Sequence, residues 1–173
     1  MDEKRALRSY FEDVWNKGDM ALVDRIISAD HITHDPANPW VVRGPEGVRR
    51  LVSIYRNAFP QLEMKVEEQF LCGDKAITRW RATGTQAGKL FALPPTGKQV
   101  NYTGIQIDRF VGDQIAETWV QWDALGLVEQ LGTPSPFDEE HSEEAELSYW
   151  RTHKGWWQAS EEGTDEPHVP GSD

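Results

Sequence analysis

The stretch Ile115-Ala116-Glu117-Thr118-Trp119-Val120-Gln121-Trp122-Asp123, running on into Ala124-Leu125-Gly126-Leu127-Val128-Glu129-Gln130-Leu131-Gly132, decides the fold. β-Branched and aromatic residues recur with period two through its first half, which predicts a strand. Alternation sets Ile115, Glu117, Trp119, Gln121 and Asp123 on one face and Ala116, Thr118, Val120 and Trp122 on the other. Two carboxylates and an amide then share a face with an indole. A solvent face seldom carries Trp and a dry core seldom carries two acids, so this face is expected to line a cavity. Leu125 to Leu131 reads as a short helix closed by Gly132.

Working back from this strand, the same period governs three more segments. Gln99 to Phe110, Lys75 to Thr85 and Leu62 to Cys72 alternate apolar and polar residues, and Val111-Gly112-Asp113 and Gly73-Asp74 supply turns. Ala87 to Gly97 interrupts the series with an apolar excursion, Leu90-Phe91-Ala92-Leu93-Pro94-Pro95-Thr96-Gly97, the expected lid. Before Pro60 the period is helical. Leu7, Tyr10, Phe11, Val14 and Trp15 form one stripe within Asp2 to Lys17. Gly18 ends that helix, and Asp19 caps a second one that turns Leu22, Val23, Ile26 and Ile27 inward and ends near Ser28. A third helix is expected from about Pro45 to Phe59. Three helices followed by antiparallel strands predict an α+β domain with the helices on one face of a curved sheet.

The 173 residues carry a net charge of −11, unevenly spread: eleven Asp/Glu and two Lys/Arg fall from Pro134 onward, leaving the first 133 residues at −2. The expected division is a domain over 1–132 and an acidic, partly helical or disordered extension over 133–173, with Asp138 to Gln158 the helical part. No basic cluster faces phosphates, which argues against nucleic acid. No apolar run suits a membrane span, and Met1 to Arg5 leads into no signal-peptide core. Cys72 is the single cysteine, so a reducing, cytoplasmic setting is expected, with Cys72 itself on an apolar strand face.

Several side chains can carry chemistry. Asp123, beside Trp119 and Trp122, suits a desolvated general base, and equally suits the N-cap of the helix that follows it. Gln106 on the preceding strand can donate an amide N–H to a developing oxyanion or be satisfied by backbone. Glu117 is expected to pair with Arg79 or Arg81. His31 and His34 stand three apart with Asp30 and Asp35 beside them, but in an extended segment they face opposite ways, so His34 suits hydrogen bonding or proton transfer better than a metal.

The residues from Tyr10 to Gly132 resemble the SnoaL-like polyketide cyclases, often labelled ester cyclases, of the NTF2-like superfamily. The likeness rests on Asn16-Lys17-Gly18-Asp19, His34-Asp35-Pro36, Gly44-Pro45-Glu46-Gly47, Leu93-Pro94-Pro95-Thr96-Gly97-Lys98, and Trp119 through Asp123 with Gly126-Leu127 and Gln130-Leu131-Gly132. The resemblance implies an α+β cone whose three N-terminal helices roof a strongly curved antiparallel sheet around a ligand pocket. It further implies ring closure by intramolecular aldol condensation without metal or cofactor, and a homodimer. Asp123 matches the aspartate that removes the proton α to a carbonyl, with Gln106 and His34 steadying the enolate. A hydrophobic polyketide-like substrate would lie against Trp15, Tyr55, Phe59, Phe91 and Trp119. One branch of the group has exchanged cyclisation for hydroxylation, and other relatives isomerise, open epoxides or only bind apolar ligands, so fold alone does not choose the reaction.

Overall fold

The structure, a computed structural model, describes residues 3–38 and 40–133. The acidic extension, the helix expected at Asp138 to Gln158 and the division at 132 lie outside the described residues or at their edge. The first helix begins as α1 (Glu3–Ser9) and widens into a π-helix over Tyr10–Lys17. The i→i+5 pattern of a π-helix brings Tyr10 and Trp15 onto one line, and their rings meet edge to face at 6.4 Å. Gly18 ends it at φ 75°, in the left-handed region. The Arg56 guanidinium then donates to the open carbonyls of Trp15 and Asn16 at 2.7 and 2.6 Å.

A 3₁₀ turn over Met20–Leu22 is capped by Asp19 and leads into α2 (Val23–Ile26). The chain then turns sharply into β1 (Ile27–His34). This corrects the expected second helix, which counted Ile27 and Ser28 within it. After β2 (Val42–Arg43) come α3 (Gly44–Ala58), β3 (Glu63–Cys72), β4 (Lys75–Thr85), β5 (Gln99–Val111), β6 (Gln114–Trp122) and α4 (Ala124–Gln130). The six strands form one open, curved sheet in the order β2-β1-β6-β5-β4-β3. All neighbours are antiparallel except β1 and β6, which run parallel with Thr33 opposite Thr118 and His34 opposite Trp119.

Side-chain alternation gives this sheet two unlike faces. Inward, toward the helices, point Thr118, Val120 and Trp122 of β6, and Tyr102, Gly104, Gln106, Asp108 and Phe110 of β5. Phe11, Val14, Val23, Ile26, Val52, Phe59 and Ile115 fill the core between the layers, each essentially inaccessible. Burial at this scale is worth roughly 1.5–3 kcal/mol per large apolar side chain. Outward, a row crosses five strands at one level: Phe70 opposite Ile77, Ile77 opposite Ile107, Ile107 opposite Trp119, Trp119 opposite His34. The face carrying Glu117, Trp119 and Gln121 is therefore the outer one, contrary to expectation. Cys72 is exposed rather than core: it pairs with Lys75 beside the β3–β4 turn, where β3 is exposed on both faces.

Gly104 sits opposite Trp80, whose ring rests on the glycine backbone. A Cβ placed there would fall 2.3 Å from Trp80 Cζ2. Gly104→Ala is expected to displace the Trp80 ring and destabilise the fold by roughly 1–3 kcal/mol, the usual penalty of overpacking. The urea midpoint with unchanged m-value would measure it; an unaltered midpoint would mean that the ring yields freely.

Candidate functional site

Two hollows meet at the end of β1. The inner cavity, about 60 Å³, lies within the cone. It is walled by Tyr10, Trp15, Leu51, Tyr55, Trp80, Tyr102 and Trp122, with Thr33, Asp35, Gln106 and Thr118 as its polar lining. The outer hollow, about 700 Å³, is an open groove between the 35–41 loop and the outer face of β5 and β6, lined by His34, Trp40, Ile105, Ile107 and Trp119 among others. The larger hollow is the less selective: its walls are the outside of a sheet. In the smaller one, polar groups converge among aromatic rings, the composition though not the size of a small-molecule site, which ordinarily spans roughly 300–1,000 Å³.

Asp35 is the acid of the inner cavity. It follows β1 directly, where Pro36 holds the chain extended, and its Oδ1 accepts the Ala37 N–H at 2.9 Å. From the far end of β6, Trp122 Nε1 donates to both carboxylate oxygens at 3.2 Å. Burial pushes the Asp35 pKa up; the hydrogen bonds from Ala37 and Trp122 offset only part of that. A carboxylate that is desolvated, raised in basicity and held by an indole N–H is equipped to take a proton.

Behind the cavity wall, Asp108 is wholly buried. Its Oδ2 accepts Gln106 Nε2 at 2.7 Å and its Oδ1 accepts the Thr118 hydroxyl at 2.7 Å. Burial raises its pKa to about 6 against the pull of those two donors. Tyr10 and Tyr55 are likewise held far above the usual phenol range, chiefly by burial, and stay neutral. His31, on the inner face of β1, bonds Thr33 Oγ1 through Nε2 at 2.9 Å and is driven down to about 4 by burial.

The residues singled out from sequence divide between these places. Gln106, Trp15 and Tyr55 line the inner cavity. Phe91, at φ 50°, lines neither hollow but makes edge contacts to Tyr55, a residue of the inner cavity wall, and to Trp40. Phe59 is deep in the core against Gly84 and reaches no cavity. His34 and Trp119 stack on each other at 5.3 Å on the outer face, where His34 Nε2 meets Glu117 Oε1 at 2.9 Å. Glu117 pairs with Arg109, not with Arg79 or Arg81, which take Glu67 instead. Asp123 is exposed, and its side chain accepts the Gly126 N–H at 2.8 Å as the N-cap of α4. This is the cap reading of Asp123: the carboxylate is solvated, engaged with a helix end and outside the lining of both hollows.

Asp35 and Asp108 are the acids that sequence reading passed over. The signal for Asp108 was present, an acid in register with Val100, Tyr102, Gly104 and Phe110 on an apolar face. The expected lid is tied down from below, since the fully buried Gln86 accepts from Thr96 N and Oγ1 and donates to the Pro94 carbonyl. Among the described residues no three of His, Cys, Asp and Glu converge as metal ligands, and no helix is long and apolar enough to cross a membrane.

A family model described as SnoaL-like polyketide cyclase matches residues 5–131. The chain is 26% identical over 129 residues to nogalonic acid methyl ester cyclase of Streptomyces nogalater, an alignment covering 72% of this chain and 94% of that one. TsrD from Streptomyces laurentii superposes with a TM-score of 0.67 at 26% identity, over 75% of this chain and 93% of its own. AclR, a hydroxylase candidate from Streptomyces galilaeus, superposes with a TM-score of 0.66 at 24% identity, over 76% and 97%, a likeness of fold alone. The architecture is the α+β cone of NTF2-like proteins.

Proposed function

The chain belongs to the SnoaL-like polyketide cyclase family, and from that premise we propose that it closes a ring on a hydrophobic, polyketide-like substrate, with Asp35 as the general base. The observation that carries this reading is the Asp35 carboxylate itself, partly buried beside Tyr55 and Trp122 and raised in basicity. A carbon acid flanked by carbonyls, seated among those rings, loses its α-proton to Asp35. The resulting enolate attacks a second carbonyl of the same molecule in an aldol-type closure. Aromatic walls supply flat, apolar contact and exclude water, which would otherwise screen the developing charge. The inner cavity is small as it stands, so entry requires the Tyr55 ring in its wall, and Phe91 packed against that ring, to turn aside.

The S. nogalater relative is named for a polyketide ester, so nogalonic acid methyl ester is the first substrate to assay. Asp35→Asn should abolish most of the turnover, whereas Asp123→Asn should leave it intact.

A homodimer through the outer face of the sheet completes the proposal. The row Phe70, Ile77, Ile107 and Trp119 leaves each of these side chains substantially exposed side by side, and contiguous exposed apolar rows of this kind mark interaction surfaces when large. Ile107→Glu would place a charge at the centre of that row. The expected result is a halving of the mass measured by light scattering with the fold retained. Wild-type protein that is already monomeric at micromolar concentration would exclude the dimer.

A further inference from the structure

We propose that Asp108 is a positioning residue that hands a proton to Thr118, whose hydroxyl delivers it to a carbonyl oxygen of the substrate, so that the cone holds an acid as well as a base. This deepens the reading of Asp35 as base and rests on it. Thr118 and Asp108 are direct cross-strand partners, and Gln106 lies two residues from Asp108 on the same face of β5. Thr118 and Gln106 both line the inner cavity, and the Asp108 carboxyl behind them ties the two together. All three side chains are almost wholly buried. No cation neutralises Asp108 among the described partners; Gln106 and Thr118 are its hydrogen-bond donors. Tyr10 is the titratable group facing it from the helical layer. His31 lies farther along β1, beyond Thr33, and stays neutral down to about pH 4.

The 2.7 Å separation of Thr118 Oγ1 and Asp108 Oδ1 serves two proton arrangements with the same heavy atoms. With Asp108 ionised, the Thr118 hydrogen points at the carboxylate and Thr118 offers the cavity no donor. With Asp108 protonated, its own O–H points at Thr118 Oγ1, and the threonine hydrogen swings into the cavity. A buried acid with a pKa of about 6 holds its proton over part of the neutral range. During enolisation the substrate Cα–H bond breaks and its proton goes to Asp35. The carbonyl oxygen gains the Thr118 hydrogen as an O–H bond forms, and Thr118 regains one from Asp108. When the carbon–carbon bond closes, the enol proton returns through Thr118 to Asp108 as the carbonyl re-forms. The proton on Asp35 passes to the new alkoxide. Both acids are reset and no proton is gained or lost.

The test uses 1-tetralone, a flat ketone that accepts hydrogen bonds but donates none, bound to the full chain and followed by calorimetry from pH 5 to 8. Because Asp35 also titrates in the cavity, binding is measured in wild type and in Asp35→Asn. Affinity should fall about three- to tenfold as pH rises through 6 in both proteins, the worth of one ordinary hydrogen bond. In the Asp35→Asn background it should be independent of pH once Asp108→Asn or Thr118→Val is added, and dependent again with Thr118→Ser. Thr118→Val carries the test alone if Asp108→Asn fails to fold. A flat profile in Asp35→Asn, or a pH dependence that survives when Asp35→Asn is combined with either Asp108→Asn or Thr118→Val, overturns the relay. Failure of tetralone to bind wild type at any pH overturns the cavity reading and the relay together. Unchanged turnover in Asp35→Asn would remove the base and leave the relay's profile standing.

Discussion

Asp35→Asn is expected to lower turnover by about 10²–10⁴-fold, the span general-base catalysis ordinarily supplies, in a protein that folds as the wild type does. Asparagine has the same shape and keeps an oxygen to accept the Trp122 indole N–H and the Ala37 amide, the two bonds that hold Asp35. What it lacks is a basic lone pair of sufficient strength. The pH profile adds a second signature. Turnover requires Asp35 ionised, so activity should fall as pH drops through its pKa, which burial sets above the ordinary carboxylate value. Asp123→Asn is the control. Asn caps helices about as well as Asp, so α4 should persist and turnover should stay near wild type. Equal losses in the two variants would return the base to the end of β6.

The second large effect is on stability, and it comes in two opposed halves. His31 is buried neutral, its pKa lowered from 6.5 to about 4. Between those values the unfolded chain binds the proton more readily, so His31 withdraws roughly 3 kcal/mol of stability as pH falls from 6.5 to 4. Asp108 runs the other way, with a pKa raised from 3.8 to about 6. Its favourable contribution is fully present below pH 3.8 and is lost as pH rises through 6, again roughly 3 kcal/mol. In wild type the two windows overlap and largely cancel. Asp108→Asn should uncover the histidine half. Relative to wild type it gains stability at pH 7 and loses that advantage toward pH 4. His31→Gln should show the reverse slope. Urea unfolding at half-unit intervals between pH 4 and 7 measures both, and parallel curves for all three proteins would refute the assignment.

Much of the fold was legible because its strands pair locally. Lys75–Thr85 and Gln99–Val111 alternate cleanly over eleven and thirteen residues, and the hairpin turns between neighbours announce themselves. What failed was the one long-range pairing. Ile27 continues the helical stripe of Val23 and Ile26, and nothing local marks Ile27–His34 as a strand whose parallel partner lies some ninety residues on. Without β1 in place, the two faces of β6 cannot be told apart. Trp119 then passes for a residue of the inner cavity when it belongs to the outer row and the open groove beside it. The same gap hid Asp35. Asp123 stands beside two tryptophans in sequence, yet its carboxylate turns back to Gly126. Asp35 is separated from Trp40 by two prolines in sequence, and the indole that holds it, Trp122, comes from 87 residues away. Gln106, Trp15 and Tyr55 were found because strand and helix periodicity fixes which way they point; the depth of a carboxylate depends on the whole fold.

The indole N–H of Trp122 reports directly on Asp35, and its ¹H–¹⁵N resonance is the measurement that bears most closely on the site. Titrated between pH 3 and 8, that resonance should move with a single midpoint above the ordinary aspartate value. The midpoint should coincide with the acidic limb of turnover, and the titration should vanish in Asp35→Asn while persisting in Asp123→Asn. A Trp122 resonance that ignores pH, or one whose midpoint stands apart from the turnover profile, would contradict Asp35 as the base.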